Sequence, residues 1–150
     1  MNPPPPKEII QVGQIEIRFL LESADTGGSL ALFESVIPVG ARVPVPHFHI
    51  AYDETVYGLE GVTTFTVDGR VTEVGPGGTV FIRRGEVHGF VNCGSETVRF
   101  LAMITPALLG PAFFREVGEA LSAGGPPDVK RIGEIMRRHG LQPVPPGAKT

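Results

Sequence analysis

Residues 47–54 read His47-Phe48-His49-Ile50-Ala51-Tyr52-Asp53-Glu54, and residues 85–92 read Gly85-Glu86-Val87-His88-Gly89-Phe90-Val91-Asn92. On an extended strand, side chains two apart project from the same face, so His47 and His49 can meet one ion. Glu54 lies five beyond His49, an odd offset that turns it to the opposite face if the strand runs on unbroken. A turn at Ile50-Ala51-Tyr52-Asp53 is therefore expected, after which Glu54 opens the next strand facing inward, with Tyr57 on a different side. His88 arrives from a later strand, beyond the turns at Gly75-Pro76-Gly77-Gly78 and Gly85.

Outward from these stretches the apolar spacing is mostly that of strands. Ile15, Ile17 and Phe19 alternate with Glu16 and Arg18, and a second run covers Leu30 to Val39. Val62 to Val67 meets Val71 to Val74 across Asp68-Gly69, a pair that supplies the positive φ angles of a tight hairpin. Further strands are expected at Thr79 to Ile82, Val87 to Asn92 and Thr97 to Thr105. Many short strands at close intervals indicate an all-β barrel or sandwich.

After Thr105 the period changes. Phe114, Val117 and Leu121 lie three and four apart, as do Val129, Ile132, Ile135 and Met136, which predicts two amphipathic helices broken at Gly124-Gly125-Pro126-Pro127. Asp128 suits the N-cap of the second helix and Gly140 its stop, while Arg137, Arg138 and His139 sit where the helix dipole favours cations. His139 is read as a solvated helix end. The chain thus divides into an N-terminal tail (1–14), a barrel (15–105), a helical extension (106–140) and a C-terminal tail (141–150). Pro3 to Pro6 and Pro143 to Gly147 give both tails an extended character.

At 150 residues with 41% hydrophobic content, the chain suits one domain with one core. Its 20 glycines and 15 prolines are scattered between apolar runs and mark turns. Charged residues are 19% and the net charge is −3, so no basic field exists to hold a nucleic acid. A single cysteine, Cys93, excludes an internal disulfide and is read as structural. With no signal-peptide layout and no stretch as long as a membrane span, a cytoplasmic location is expected.

Both histidine stretches are similar to the motifs of the cupin superfamily. Gly40, His47, His49, Glu54 and Gly61 match the first motif, and Gly77, Gly85, His88 and Asn92 the second. Two departures stand out: six residues separate Gly40 from His47 where the family usually has five, and Arg83 replaces the usual proline. Arg83 and Arg84 could place charge near the site, although a solvated turn pair is the plainer reading. The resemblance implies an all-β cupin jelly-roll barrel followed by the two helices. It also implies one divalent metal held by His47, His49, Glu54 and His88. Three imidazoles and a carboxylate suit Mn, Fe, Co, Ni, Cu or Zn, and leave positions open for water, substrate or dioxygen.

His47-Phe48-His49, Asp53-Glu54, Leu59-Glu60-Gly61 and the helical extension most resemble the small cupins grouped with quercetin 2,3-dioxygenase. That grouping implies an enolic or flavonol-like substrate reacting with dioxygen at the metal, with Glu54 both ligand and proton acceptor. A non-redox isomerase, lyase or decarboxylase, or a non-catalytic small-molecule binder, stays open beside it. Tyr57, Phe65, Phe81, Phe90, Phe100 and Met103 are candidate cavity residues, and an apolar cavity suits a flat molecule better than a sugar phosphate. Because the helical stripes and the open sheet edges need cover, a two-fold homodimer is expected, sharing the strand around Ile15 to Phe19, the sheet edge, or both.

Overall fold

The computed structural model describes residue 2 and residues 4–145. The alternating segments form β1 (Glu8–Val12), β2 (Ile15–Leu21), β3 (Ala31–Ile37), β4 (His47–His49), β5 (Asp53–Glu60), β6 (Thr63–Val67), β7 (Arg70–Val74), β8 (Thr79–Ile82), β9 (His88–Val91) and β10 (Val98–Thr105). A single helical turn, α1 (Ser23–Thr26), interrupts them, and α2 (Pro111–Ser122), α3 (Val129–Arg138) and β11 (Leu141–Pro143) follow.

Two antiparallel sheets result, one in the order β1-β2-β3-β10-β5-β8 and the other in the order β11-β4-β9-β6-β7. Together they make the expected jelly roll. The alternation is literal on β10, where Val98, Phe100, Ala102 and Ile104 are buried and the residues between them are half-buried. The β6–β7 hairpin turns on Asp68 and Gly69, with φ of 45° and 76°.

The helices close the barrel. Phe114 of α2 sets its ring 4.9 Å from Phe33 and 5.8 Å from Phe19, and each such buried ring contributes roughly 1.5–3 kcal/mol. From α3, Ile132, Ile135 and Met136 are buried. Asp128 caps α3 as expected, its carboxylate accepting from the Arg131 N–H at 3.0 Å. Leu121 is half-buried and Val129 is exposed, so the apolar stripes find most of their cover inside one chain.

Three expectations need correction. Residues 8–12, assigned to the N-terminal tail, form β1, because the turn through Gly13 folds them back onto β2. Residues 141–143, assigned to the C-terminal tail, pair with β4, and Pro143 is tolerated there on a sheet edge. The barrel therefore exceeds 15–105. The strand around Ile15 to Phe19 is paired on both sides, with β1 and β3, so it offers no free edge to a partner. Pro3, Pro146 and Gly147 of the expected tails lie outside the described residues. Among the described residues no helix is long and apolar enough to cross a membrane.

Candidate metal centre

The five-stranded sheet supplies the histidines. His47 and His49 face inward from β4, and His88, on β9, stands in register opposite His47. All three are buried, and their ligating nitrogens lie within 4.8 Å of one another. Glu54 comes from the opposite sheet. Its Oε2 lies 3.4 Å from His88 Nε2 and 3.8 Å from His49 Nε2, so the structure brings together the four residues that the sequence singled out.

The turn between His49 and Glu54 is built by side chains as well as backbone. Tyr52 is buried, stacks on the His49 ring at 4.5 Å, and donates its hydroxyl to the His139 carbonyl at 3.0 Å. The Gly85 N–H donates to the His49 carbonyl at 2.8 Å, from a residue with φ of 86° that favours glycine. Asp53 turns outward, where the Arg84 N–H and guanidinium hold it at 2.9–3.2 Å and keep its carboxyl below the usual range. Arg84 thus secures the turn and brings no charge to the cavity. Arg83 donates its backbone N–H to Glu86 at 2.8 Å. Asn92 is fully buried, donating to the Ile37 and Glu96 carbonyls at 2.9 and 2.8 Å, which makes it a structural member of its motif.

Backbone carbonyls select the tautomers. His47 Nδ1 lies 2.8 Å from the Val45 oxygen and His88 Nδ1 2.9 Å from the Glu86 oxygen. A carbonyl only accepts, so each Nδ1 carries the proton and each Nε2 presents a lone pair to the centre. Among the described residues His88 Nε2 and His49 Nδ1 are buried without a hydrogen-bond partner. Burial lowers His47 to about 3, helped by the nearby His88. Burial and then His88 and His47 lower His49 to about 2. Both are neutral at pH 7, the state that ligates a metal. His88 is also pushed down by burial, but contact with the Glu54 carboxylate and then the Glu86 carbonyl outweigh this and raise it. Inward lone pairs, buried nitrogens without partners and one converging carboxylate fit a divalent cation of the N/O-preferring kind.

The centre opens on a cavity of about 100 Å³ whose walls include Phe65, Phe90 and Phe100 and whose roof includes Phe113 and Met136. Of the other aromatic and methionine candidates, Tyr57 and Phe81 are exposed and Met103 lies on the outer face of β10. His139 is no solvated helix end: its Nε2 lies 2.6 Å from the Glu116 carboxylate and its ring 5.6 Å from Phe113. Cys93 is exposed. Sequence reasoning passed over Tyr52, treated as a turn residue. A tyrosine two before Glu54 carries no local mark of the long-range stack it makes.

The Cupin domain family matches residues 33–104. Quercetin 2,3-dioxygenase of Bacillus subtilis is 30% identical over 102 residues, which are 68% of this chain but only 29% of the dioxygenase. An uncharacterized protein of Methanocaldococcus jannaschii is 30% identical over 98 residues, covering 65% of this chain and 78% of that protein. A Thermotoga maritima structure described as a predicted oxalate decarboxylase superposes with a TM-score of 0.61 at 27% identity, covering 66% of this chain and 90% of that one. The cupin domain of Schizosaccharomyces pombe Cnp3, at 22% identity and a TM-score of 0.58, covers 66% of this chain and 68% of its own and shares the fold.

Proposed function

The chain belongs to the cupin superfamily, and on that footing we propose that it is a metal-dependent enzyme of the dioxygenase type acting on a small enolic or phenolic compound. The observation that carries this reading is the convergence of His47, His49 and His88 from one sheet with Glu54 from the other, at the end of an apolar cavity. These four residues would hold the ion. A divalent transition metal there supplies a Lewis-acid site and, where redox-active, a route for electrons to dioxygen.

The chain's own residues do the rest. Phe65, Phe90 and Phe100 pack on one another at 5.4–5.6 Å and form an apolar wall against which a flat substrate lies. Glu54 stands within reach of the same point as the histidines and takes the substrate hydroxyl proton on its carboxylate. Phe113 of α2 and Met136 of α3 line the cavity from the helical side and make that wall apolar. The likeness to a predicted oxalate decarboxylase supports a second reading, a non-redox lyase or decarboxylase using the same residues.

Elemental analysis of protein purified without added metal, followed by oxygen uptake on a panel of enolic and phenolic compounds, tests the proposal. Oxygen consumption with a stoichiometric metal is the expected result. Turnover without oxygen would transfer the function to the second reading, and saturable binding without turnover would make the protein a binder.

For assembly, we propose a two-fold homodimer formed through an open sheet edge. The six-stranded sheet ends in β1 and β8, and Ile9 and Phe81 on those strands are both exposed. Light scattering over a range of concentrations should give the mass of two chains. A constant mass near the 16.0 kDa of one chain would overturn the dimer.

A further inference from the structure

The three histidines are not held alike. His47 brings Nδ1 to 2.8 Å from the Val45 carbonyl and His88 brings Nδ1 to 2.9 Å from the Glu86 carbonyl. Such bonds fix both the rotation of a ligating imidazole and its tautomer. His49 has no equivalent. Its Nδ1 is buried without a partner, and its Nε2 lies 3.8 Å from the Glu54 carboxylate, beyond hydrogen-bond distance. No polar contact therefore stops the His49 ring from turning about its Cβ–Cγ bond, and a half-turn puts Cε1 where Nε2 stood.

Tyr52 supplies the missing restraint. Its ring lies 4.5 Å from that of His49 with the two planes 28° apart, so a large rotation of the imidazole drives its edge into the phenol face. The other rings packed against His49 are those of His47 and His88, which belong to the centre itself. Tyr52 is clamped in turn. Its hydroxyl donates to the His139 carbonyl at 3.0 Å, and Gly140 backs onto the ring so closely that a Cβ there would stand 3.1 Å from Tyr52 Cε1. That stretch of chain is tied to β4, because the Ile50 N–H donates to the Gly140 carbonyl at 2.9 Å and Leu141 pairs with His49. The tyrosine ring is thus held between the imidazole and the segment that leaves α3. Tyr52 is not among the residues lining the cavity, and its hydroxyl is engaged by His139, so it does not touch a substrate.

We propose that Tyr52 is a positioning residue for the metal centre: its stack holds the His49 ring with Nε2 towards Glu54, the task that backbone carbonyls perform for His47 and His88. The consequence for metal affinity rests on the proposed function, in which the four residues hold an ion. The consequence for ring orientation rests on the packing alone.

The test follows ring orientation in chelator-treated protein by NMR, and affinity for zinc, a redox-silent probe, in competition with a chelator. In the metal-free wild type, nuclear Overhauser contacts should place the His49 ring in one orientation against His47 and His88, whose rings lie 5.2 and 4.6 Å away. Tyr52→Phe keeps the ring and loses the hydroxyl. It should preserve these contacts and bind zinc within about threefold of the wild type, short of the loss expected for an orienting group. Tyr52→Leu should spread His49 over more than one orientation and bind zinc about 10- to 100-fold more weakly. The contact between the His47 and His88 rings, 4.7 Å apart, should persist in it and show that the strands are intact. Tyr52→Met, with a side chain that adapts to irregular gaps, takes its place if the leucine variant does not fold. A freely turning His49 in the wild type, a His49 ring that stays fixed in the leucine or methionine variant, or zinc bound as weakly by Tyr52→Phe as by Tyr52→Leu would each overturn the proposal. Oxygen uptake is not read, so a protein that proves to be no oxygenase leaves this result standing, and the metal-free measurement decides the matter even if zinc does not bind.

Discussion

Replacing His88 by alanine is expected to lower metal affinity by more than about a hundredfold, while His139→Ala leaves the bound metal unchanged. Changes in groups that merely orient a ligand already cost 10- to 100-fold in affinity, and in the proposed centre His88 would contribute a nitrogen itself. It is also the histidine nearest to Glu54, at 3.4 Å, so its loss removes the neighbour that the carboxylate faces most closely. His139 makes a useful control because it too contacts a carboxylate. Its partner Glu116 lies at the surface, however, and such pairs contribute no more than about 1 kcal/mol. The contact that His139 makes towards the centre is through its backbone carbonyl, which accepts from Tyr52 and survives in the alanine variant. Metal content by elemental analysis after dialysis against a competing chelator measures both. Equal occupancy in the two variants would show that the histidine cluster holds no ion.

Gly58→Ala is expected to destabilise the protein by more than the about 1–3 kcal/mol usual for an added methyl group in a packed core. Gly58 faces inward on β5, with ordinary strand geometry, and the backbone of Gly75 crosses directly over it. A methyl group at Gly58 would overlap the Gly75 carbonyl oxygen. The crossing is held by Gly58 N–H to the Gly78 oxygen and Gly77 N–H to the Gly58 oxygen, both at 2.9 Å. The obstacle is backbone, which cannot rotate aside as a side chain can, so relief requires β5 to part from the turn before β8. The contrasting variant is Gly133→Ala. There the new methyl group meets only the end of the Arg137 side chain at 3.4 Å, and the gain in helix propensity, up to about 1 kcal/mol, should prevail. Thermal melting reads both, at about 2–4 °C per kcal/mol for a chain of this size. An unchanged melting temperature for Gly58→Ala would mean that the strand and the glycine turn are not in contact.

Two elements mark the limit of what pattern alone can assign. Glu8 to Val12 and Leu141 to Pro143 have too few residues to establish a period, and each becomes a strand only because a partner edge is presented to it. In the helices the reverse holds. Phe114, Val117, Ile132 and Ile135 announced their buried face through spacing alone, and the barrel mouth receives them. The stripe was legible while its destination was not, which is why the case for a dimer based on covering the helices lapses and only the sheet edges support it.

The sequence by itself determined the faces and the chemistry. His47 and His49 share a side because a strand repeats every two residues, Glu54 needs a turn before it, and Asp68-Gly69 reverses the chain with little help from elsewhere. Tertiary structure alone decided that His88 stands opposite His47, that Glu54 reaches them from the other sheet, and that Tyr52 stacks on His49. Periodicity is a property of consecutive residues and tells which way a side chain points. Distance across a barrel depends on the register of strands far apart in the chain and on how tightly the helices seat, and no local pattern carries either.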